Sequence, residues 1–326
     1  MKDFDWLVPS AILTLLSVVT ALTLIPNYSG IMPALGLLPL WMIAAGVLSA
    51  ICGFVALLRS GTATPIKHMM RYFTIEWRSV AMLCICILVS GLNMIAFMWT
   101  KPLLNYMVPF WADPLLAEVD KALFLGTDPW KLFTWLNLTP TAIFYHRGWF
   151  GLMILTLILV TRSSPSIEKT ALMLTYFLLW SVVGPAIHIL LPAAGPIFFE
   201  QLGYGDRFNA LEGAPETLRA ANYLWTIYST EGFGPGSGIS AMPSMHIATT
   251  AWMIMCFYFI ARRWLPLMMA MASLIFLLSI SLGWHYAADG IVGGGAALLC
   301  FYAVRAVFKR TRQSDVASPT MASQAT

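Results

Sequence analysis

Two histidines and one aspartate stand where an almost uncharged sequence passes from loop to apolar run. The first lies in Ser240-Ala241-Met242-Pro243-Ser244-Met245-His246, the others in Gly283-Trp284-His285-Tyr286-Ala287-Ala288-Asp289-Gly290. Only 10% of the 326 residues are charged and five are histidine, so ionisable groups this close to lipid call for a functional explanation. His285 and Asp289 are four apart, which places them on one face of a helix running from His285, with the carboxylate in reach of an imidazole N–H. Such a contact fixes the tautomer and raises the basicity of the other ring nitrogen, as a nucleophile or general base requires. His246 falls in the first turn of a helix started by Pro243 and capped by Ser244. The free N–H groups and positive dipole end of that helix suit a phosphate oxygen, with Ser244 as a candidate contact. Two His and an Asp also serve as metal ligands, but nothing in the spacing makes the two imidazoles converge, and no metal or cofactor is expected.

The elements that carry these residues are membrane spans. With 59% hydrophobic residues, a mean hydropathy of +0.76 and repeated apolar runs near twenty residues, the fold class is all-α and polytopic, with about eight transmembrane helices. The five cysteines (Cys52, Cys84, Cys86, Cys256, Cys300) all lie inside apolar runs, which removes disulfide-framework and zinc-ribbon readings. No basic block of nucleic-acid-binding character occurs. The run Leu7 to Ile25, flanked by Asp3 and Asp5, reads as a span rather than a cleaved signal.

In chain order, 1–78 reads as a two-helix hairpin, turning at residues 26–30, with a basic loop carrying Arg59, Lys67, Arg71 and Arg78. Residues 79–308 read as a six-helix catalytic core, and 309–326 as a disordered tail rich in Ser, Ala and Thr. Between the third and fourth spans, Leu116, Val119 and Leu123 form the apolar stripe of a short surface helix, with Glu118, Asp120 and Lys121 opposite and Gly126 ending it. Asp128-Pro129 reads as the start of another short helix through Trp135. Gly184-Pro185 predicts a kink, and the long loop from Pro192 to Pro243 is expected to cover something. Gly290 and Gly294 predict close helix packing. The basic loops place both termini in the cytoplasm, and with them His246, His285 and Asp289 on the outer face. The short loops and the absence of a sorting tail point to a bacterial inner membrane.

Ser-Ala-Met-Pro-Ser-Met-His and Gly-Trp-His-Tyr-Ala-Ala-Asp-Gly-Ile-Val-Gly-Gly resemble the second and third motifs of the type 2 phosphatidic-acid phosphatase superfamily. More narrowly, they are similar to the branch of inositol phosphorylceramide synthases that confer aureobasidin resistance. Residues Val119 to Pro129 also resemble that branch's Asp-x-x-Leu-Phe-Gly-Gly-x-x-Pro element. The resemblance implies a phosphohistidine route: His285 attacks phosphorus, Asp289 orients and polarises it, and His246 protonates the leaving oxygen and then deprotonates the acceptor. Typical phosphatases of the superfamily add a lysine, an Arg-Pro pair and an arginine six residues before the nucleophile. This sequence has no Arg-Pro, and Ser279 stands six before His285. With fewer cations, a singly charged diester suits the site better than a doubly charged monoester. The candidates for the remaining cation are Arg147, Arg207 and Lys101, while His188 reads as a helix-end residue. The expected partners are a phospholipid donor and a lipid alcohol acceptor. The expected reaction is phosphoinositol transfer from phosphatidylinositol to a ceramide-like alcohol. A lipid phosphatase using water is the nearest alternative. A transporter or non-catalytic lipid-binding protein is the other, and no inverted repeat supports it.

Overall fold

The computed structural model describes residues 2–25, 28 and 31–322, without the side chains of 314–322. Most of the expected turn at 26–30 lies outside the described residues. The helices in order are α1 (Phe4–Leu24), α2 (Ile31–Leu35), α3 (Leu37–Arg59), α4 (Pro65–Ile75), α5 (Trp77–Met107), α6 (Asp113–Leu123) and α7 (Thr139–Ile143). They continue with α8 (Trp149–Arg162), α9 (Ile167–Leu178), α10 (Gly184–Leu190), α11 (Pro215–Ser229), α12 (Met245–Ile260), α13 (Leu265–Ser281) and α14 (Ala287–Ala322). No strand occurs among the described residues. Seven helical stretches there are long and apolar enough to cross a membrane. The eighth expected span, α12, is equally apolar but has 16 residues, about 24 Å at 1.5 Å per residue.

Around α12 the remaining helices assemble. α12 packs against α8, α9, α13 and α14, and its indole Trp252 Nε1 donates to the Leu172 carbonyl of α9 at 2.7 Å. The glycines of α14 do close the approach, since a Cβ on Gly293 would stand 2.7 Å from the Ser244 carbonyl and one on Gly290 would meet Phe276. The two N-terminal spans do not pair mainly with each other, contrary to the hairpin expected from sequence. α1 lies against α5 and α9, whereas α3 lies against α5 and α8. Polar side chains explain the split: Asn93 of α5 donates to Thr14 of α1 and to Ser181, while Trp41 of α3 donates to the Ile87 carbonyl.

Two spans contain a π-helical turn. Phe144–Gly148 joins α7 to α8, and Leu179–Val183 joins α9 to α10. The second precedes Pro185, which has no N–H to donate to the carbonyl four residues back, so the expected kink takes this form.

Three local readings are corrected. The buried stripe of α6 is Asp113, Leu116, Ala117 and Asp120, while Val119 and Leu123 stay exposed. Asp128 caps nothing, because Arg207 takes its carboxylate, and the chain after it forms two 3-10 turns, Pro129–Leu132 and Thr134–Leu136. The last span starts at Ala287, so His285 precedes the helix. That helix runs through Ala322, past the start of the expected tail at 309, and residues 323–326 lie outside the described ones.

At the opposite end of the bundle from the start of α12, Lys169 is buried. It pairs with Asp3 at 2.7 Å and donates to the carbonyls of Thr161 and Ser163 at 2.7 and 2.8 Å. This ties α1 to the α8–α9 corner. Lys169→Ala leaves those carbonyls without a donor and is expected to cost about 1–3 kcal/mol, read as a lower unfolding temperature in detergent.

Candidate active site

The sequence folds His246 and His285 onto one cavity of about 630 Å³. Ser244 takes extended backbone and its hydroxyl accepts from Ile247 N–H at 3.4 Å, so α12 starts as expected and His246 sits in its first turn. The His246 ring is held by aromatic faces. It stacks on Tyr145 at 4.5 Å and 18° and lies 4.2 Å from the Trp149 ring. Tyr145 comes from the π-helical turn before α8, and Trp149 starts that helix. Among the described residues no protein group is hydrogen-bonded to the ring nitrogens of His246, which leaves them to a ligand. The His285 ring is 6.0 Å away, centroid to centroid.

His285 is oriented differently from the expectation. Its Nδ1 donates to the Ala241 carbonyl at 2.9 Å, and the nearer carboxylate oxygen of Asp289 is 3.6 Å away, beyond a hydrogen bond but within ion-pair range. Asp289 is fully buried. One oxygen accepts from Tyr286 N–H at 2.8 Å and the other has no partner among the described residues. Both groups hold the proton on Nδ1, which leaves Nε2 with the lone pair.

Because a backbone carbonyl is the direct partner, the loop carrying Ala241 matters. Asn105, late in α5, brackets Ile239: its amide donates to the Ile239 carbonyl and its oxygen accepts the Ile239 N–H, both at 2.6 Å. His188, in the last turn of α10 as expected, is buried between the Asn105 amide at 3.2 Å and the Ser240 hydroxyl at 3.0 Å, so it also holds the loop. Ala241 N–H donates to the Ala193 carbonyl at 2.8 Å.

Helix α6 secures the other side. The Asp120 carboxylate accepts the N–H groups of Ala287 and Ala288 at 2.6 and 2.9 Å, capping α14 just after His285. Asp113 accepts from Ala194 and Gly195 N–H at 2.9 and 2.8 Å and from the Tyr286 hydroxyl at 3.1 Å. Gly195 adopts φ +105°, and a Cβ there would meet the Trp284 carbonyl at 2.5 Å, so only glycine lets this loop lie on the one that carries His285. Burial pushes the Asp113 and Asp120 carboxyls above their ordinary range, against the pull of these amide bonds.

Of the four candidate phosphate contacts, the structure brings only Lys101 to the cavity. Ser244 is fully buried with its hydroxyl used in the cap, and Arg147 is exposed away from the lining. Arg207 is committed to Asp128, Glu118 and the Ala117 carbonyl. Ser279 is buried with its hydroxyl on the Phe276 carbonyl, so no cation stands six residues before His285.

The family model of the PAP2 superfamily matches residues 115–303, more than half of the chain. The chain belongs to the PAP2 superfamily. The match takes in His246, His285, Asp289 and Asp120, while Lys101, Asn105 and Asp113 precede it. No curated protein and no solved structure matches this PAP2 protein.

Sequence reasoning missed Asn105, Asp113 and the inward role of Asp120. The two aspartates could have been found, since Asp113, Leu116, Ala117 and Asp120 share one helical stripe; nothing local marks Asn105. Asn105→Leu removes both ties on Ile239 and is expected to lower turnover on the order of a hundredfold with KM little changed, because the loop it holds orients His285. Asp120→Ala leaves two buried amides unpaired and is expected to cost about 1–3 kcal/mol, measured by thermal unfolding.

Proposed function

We propose that this PAP2 protein moves a phosphate-linked head group between membrane lipids, with phosphatidylinositol as donor and a ceramide-like lipid alcohol as acceptor. The observation that carries the reading is the cavity itself. Three histidines, His146, His246 and His285, line it with a largely apolar wall, and Lys101 is the one charged side chain other than histidine among its described lining residues. A single cation neutralises a singly charged diester and leaves a monoester dianion half balanced.

In this scheme the phosphorus lies between the two rings, whose 6.0 Å separation suits a near-attack distance of about 3–3.5 Å to each. His285 Nε2 attacks phosphorus, a P–N bond forms, and the bond to the diacylglycerol oxygen breaks. That oxygen takes the proton of His246, releasing diacylglycerol. The neutral His246 then removes the proton from the acceptor hydroxyl, whose oxygen attacks phosphorus as the P–N bond breaks, and the product carries the head group. Asp289 and the Ala241 carbonyl hold the Nδ1 proton of His285 throughout and stabilise the positive charge on the ring. Lys101 balances the phosphoryl oxygens.

His246 and His285 stand at the end of the bundle opposite Lys169. With the basic segment 59–78 and Arg262, Arg263 and Lys309 facing the cytoplasm, the reaction takes place at the outer leaflet, in keeping with the short loops of a bacterial inner-membrane protein.

Purified protein given phosphatidylinositol labelled in the head group, and ceramide, is expected to yield a labelled inositol phospholipid and diacylglycerol. His285→Ala abolishes this, and His246→Ala lowers it about 10²–10⁴-fold. Release of inorganic phosphate from phosphatidic acid with no transfer to ceramide would replace the transferase reading with a phosphatase. Full activity in the double variant would sink the phosphohistidine scheme.

A further inference from the structure

The cavity is much larger than a phosphate needs, and its far side is built by a helix outside the family-matched segment. Leu38, Trp41 and Ala44 of α3 line it together with Gly91 and Met98 of α5 and Ile154 of α8. From Lys101 to Gly91 the lining descends ten residues of α5, about 15 Å at 1.5 Å per residue. That is roughly half of a 30 Å hydrocarbon core, the depth of one leaflet. Leu40, also on the lining, is 63% exposed, so the cavity opens sideways past α3 toward lipid.

The α3 wall is fixed where the cavity ends. A Cβ on Gly91 would stand 2.7 Å from Leu38 Cδ1 and 2.8 Å from Trp41 Cδ1, and Trp41 Nε1 donates to the Ile87 carbonyl at 3.0 Å. The alternative path for a lipid chain, along the glycines of α14, is filled by Phe276, Ala248 and the Ser244 carbonyl.

We propose that one acyl chain of the lipid phosphate substrate lies between α3, α5 and α8, with its phosphate at Lys101 and the histidines, and that Leu38, Trp41 and Ala44 limit its length. This rests on the lipid-phosphate reading given above. The occupant follows from continuity: an apolar channel of leaflet depth begins at the phosphate end and opens to the bilayer. A volume of about 630 Å³ is in the range for one ligand of drug size, so the second chain of a two-chain lipid stays in the membrane.

Two measurements test this. Ala44→Phe fills the deep half of the channel and is expected to lower turnover of a long-chain donor about tenfold relative to a short-chain one. An unchanged chain-length preference in that variant would overturn the proposal. The second is independent of turnover. His285→Ala protein is photolysed with a phosphatidic acid carrying a diazirine at the end of one long acyl chain, and the labelled peptides are sequenced. Label on residues 37–44 and 91–98 supports the proposal, even if no phosphoryl transfer is found with any lipid. Label confined to α12–α14, or none, overturns it even if transfer is confirmed.

Discussion

The hydrogen bond from His285 Nδ1 to the Ala241 carbonyl joins the two sequence motifs of this protein. Each motif supplies one imidazole, and neither motif alone sets the distance between them. The bond makes the backbone of the first motif the orienting group for the histidine of the second, with the Asp289 carboxylate 3.6 Å away as electrostatic support. A second strand of the same junction runs from Ser244 N–H to the Asp289 carbonyl at 3.1 Å, so the starts of α12 and α14 are tied backbone to backbone. A backbone acceptor is less adjustable than a side chain, and its placement therefore demands a rigid loop.

Much of the surrounding structure supplies that rigidity. Asn105 and His188 hold residues 239–240 from one side, and the Ala193 carbonyl holds Ala241 from another. Asp113 and Asp120 reach in from α6 and collect amide donors on both the 194–195 loop and the first turn of α14. Burying two carboxylates is expensive unless their oxygens are hydrogen-bonded, and here the amides of an irregular loop and a helix N-terminus do this. The arrangement satisfies backbone donors that a low-dielectric setting would otherwise leave open, and it fixes the loop on which the histidine stands.

The same economy of charge appears in the cavity. Arg207, one of the two arginines of the long loop, pairs with Asp128 and Glu118 and holds that loop to α6 and its exit. Among the described lining residues Lys101 is the one lysine or arginine, and beyond it the lining turns apolar along α3, α5 and α8. One end of the site is therefore polar and the other is an apolar slot, a division that suits an amphiphile.

The sequence by itself determined the membrane class and the helix start at Ser244, and it singled out His246, His285 and Asp289 as candidates, because apolar runs, capping residues and rare ionisable groups are local signals. It also carried the absence of an arginine before His285, now seen as the buried Ser279. Only the tertiary structure decided which cation reaches the cavity, that a carbonyl rather than Asp289 directly bonds His285, and that α1 and α3 part company around α5. Those outcomes depend on pairs such as Asn105 with Ile239, or Asp120 with Ala287, that lie more than a hundred residues apart. No periodicity records such a pairing, since a buried carboxylate on an amphipathic helix looks like a solvated one until the amides that satisfy it are in place.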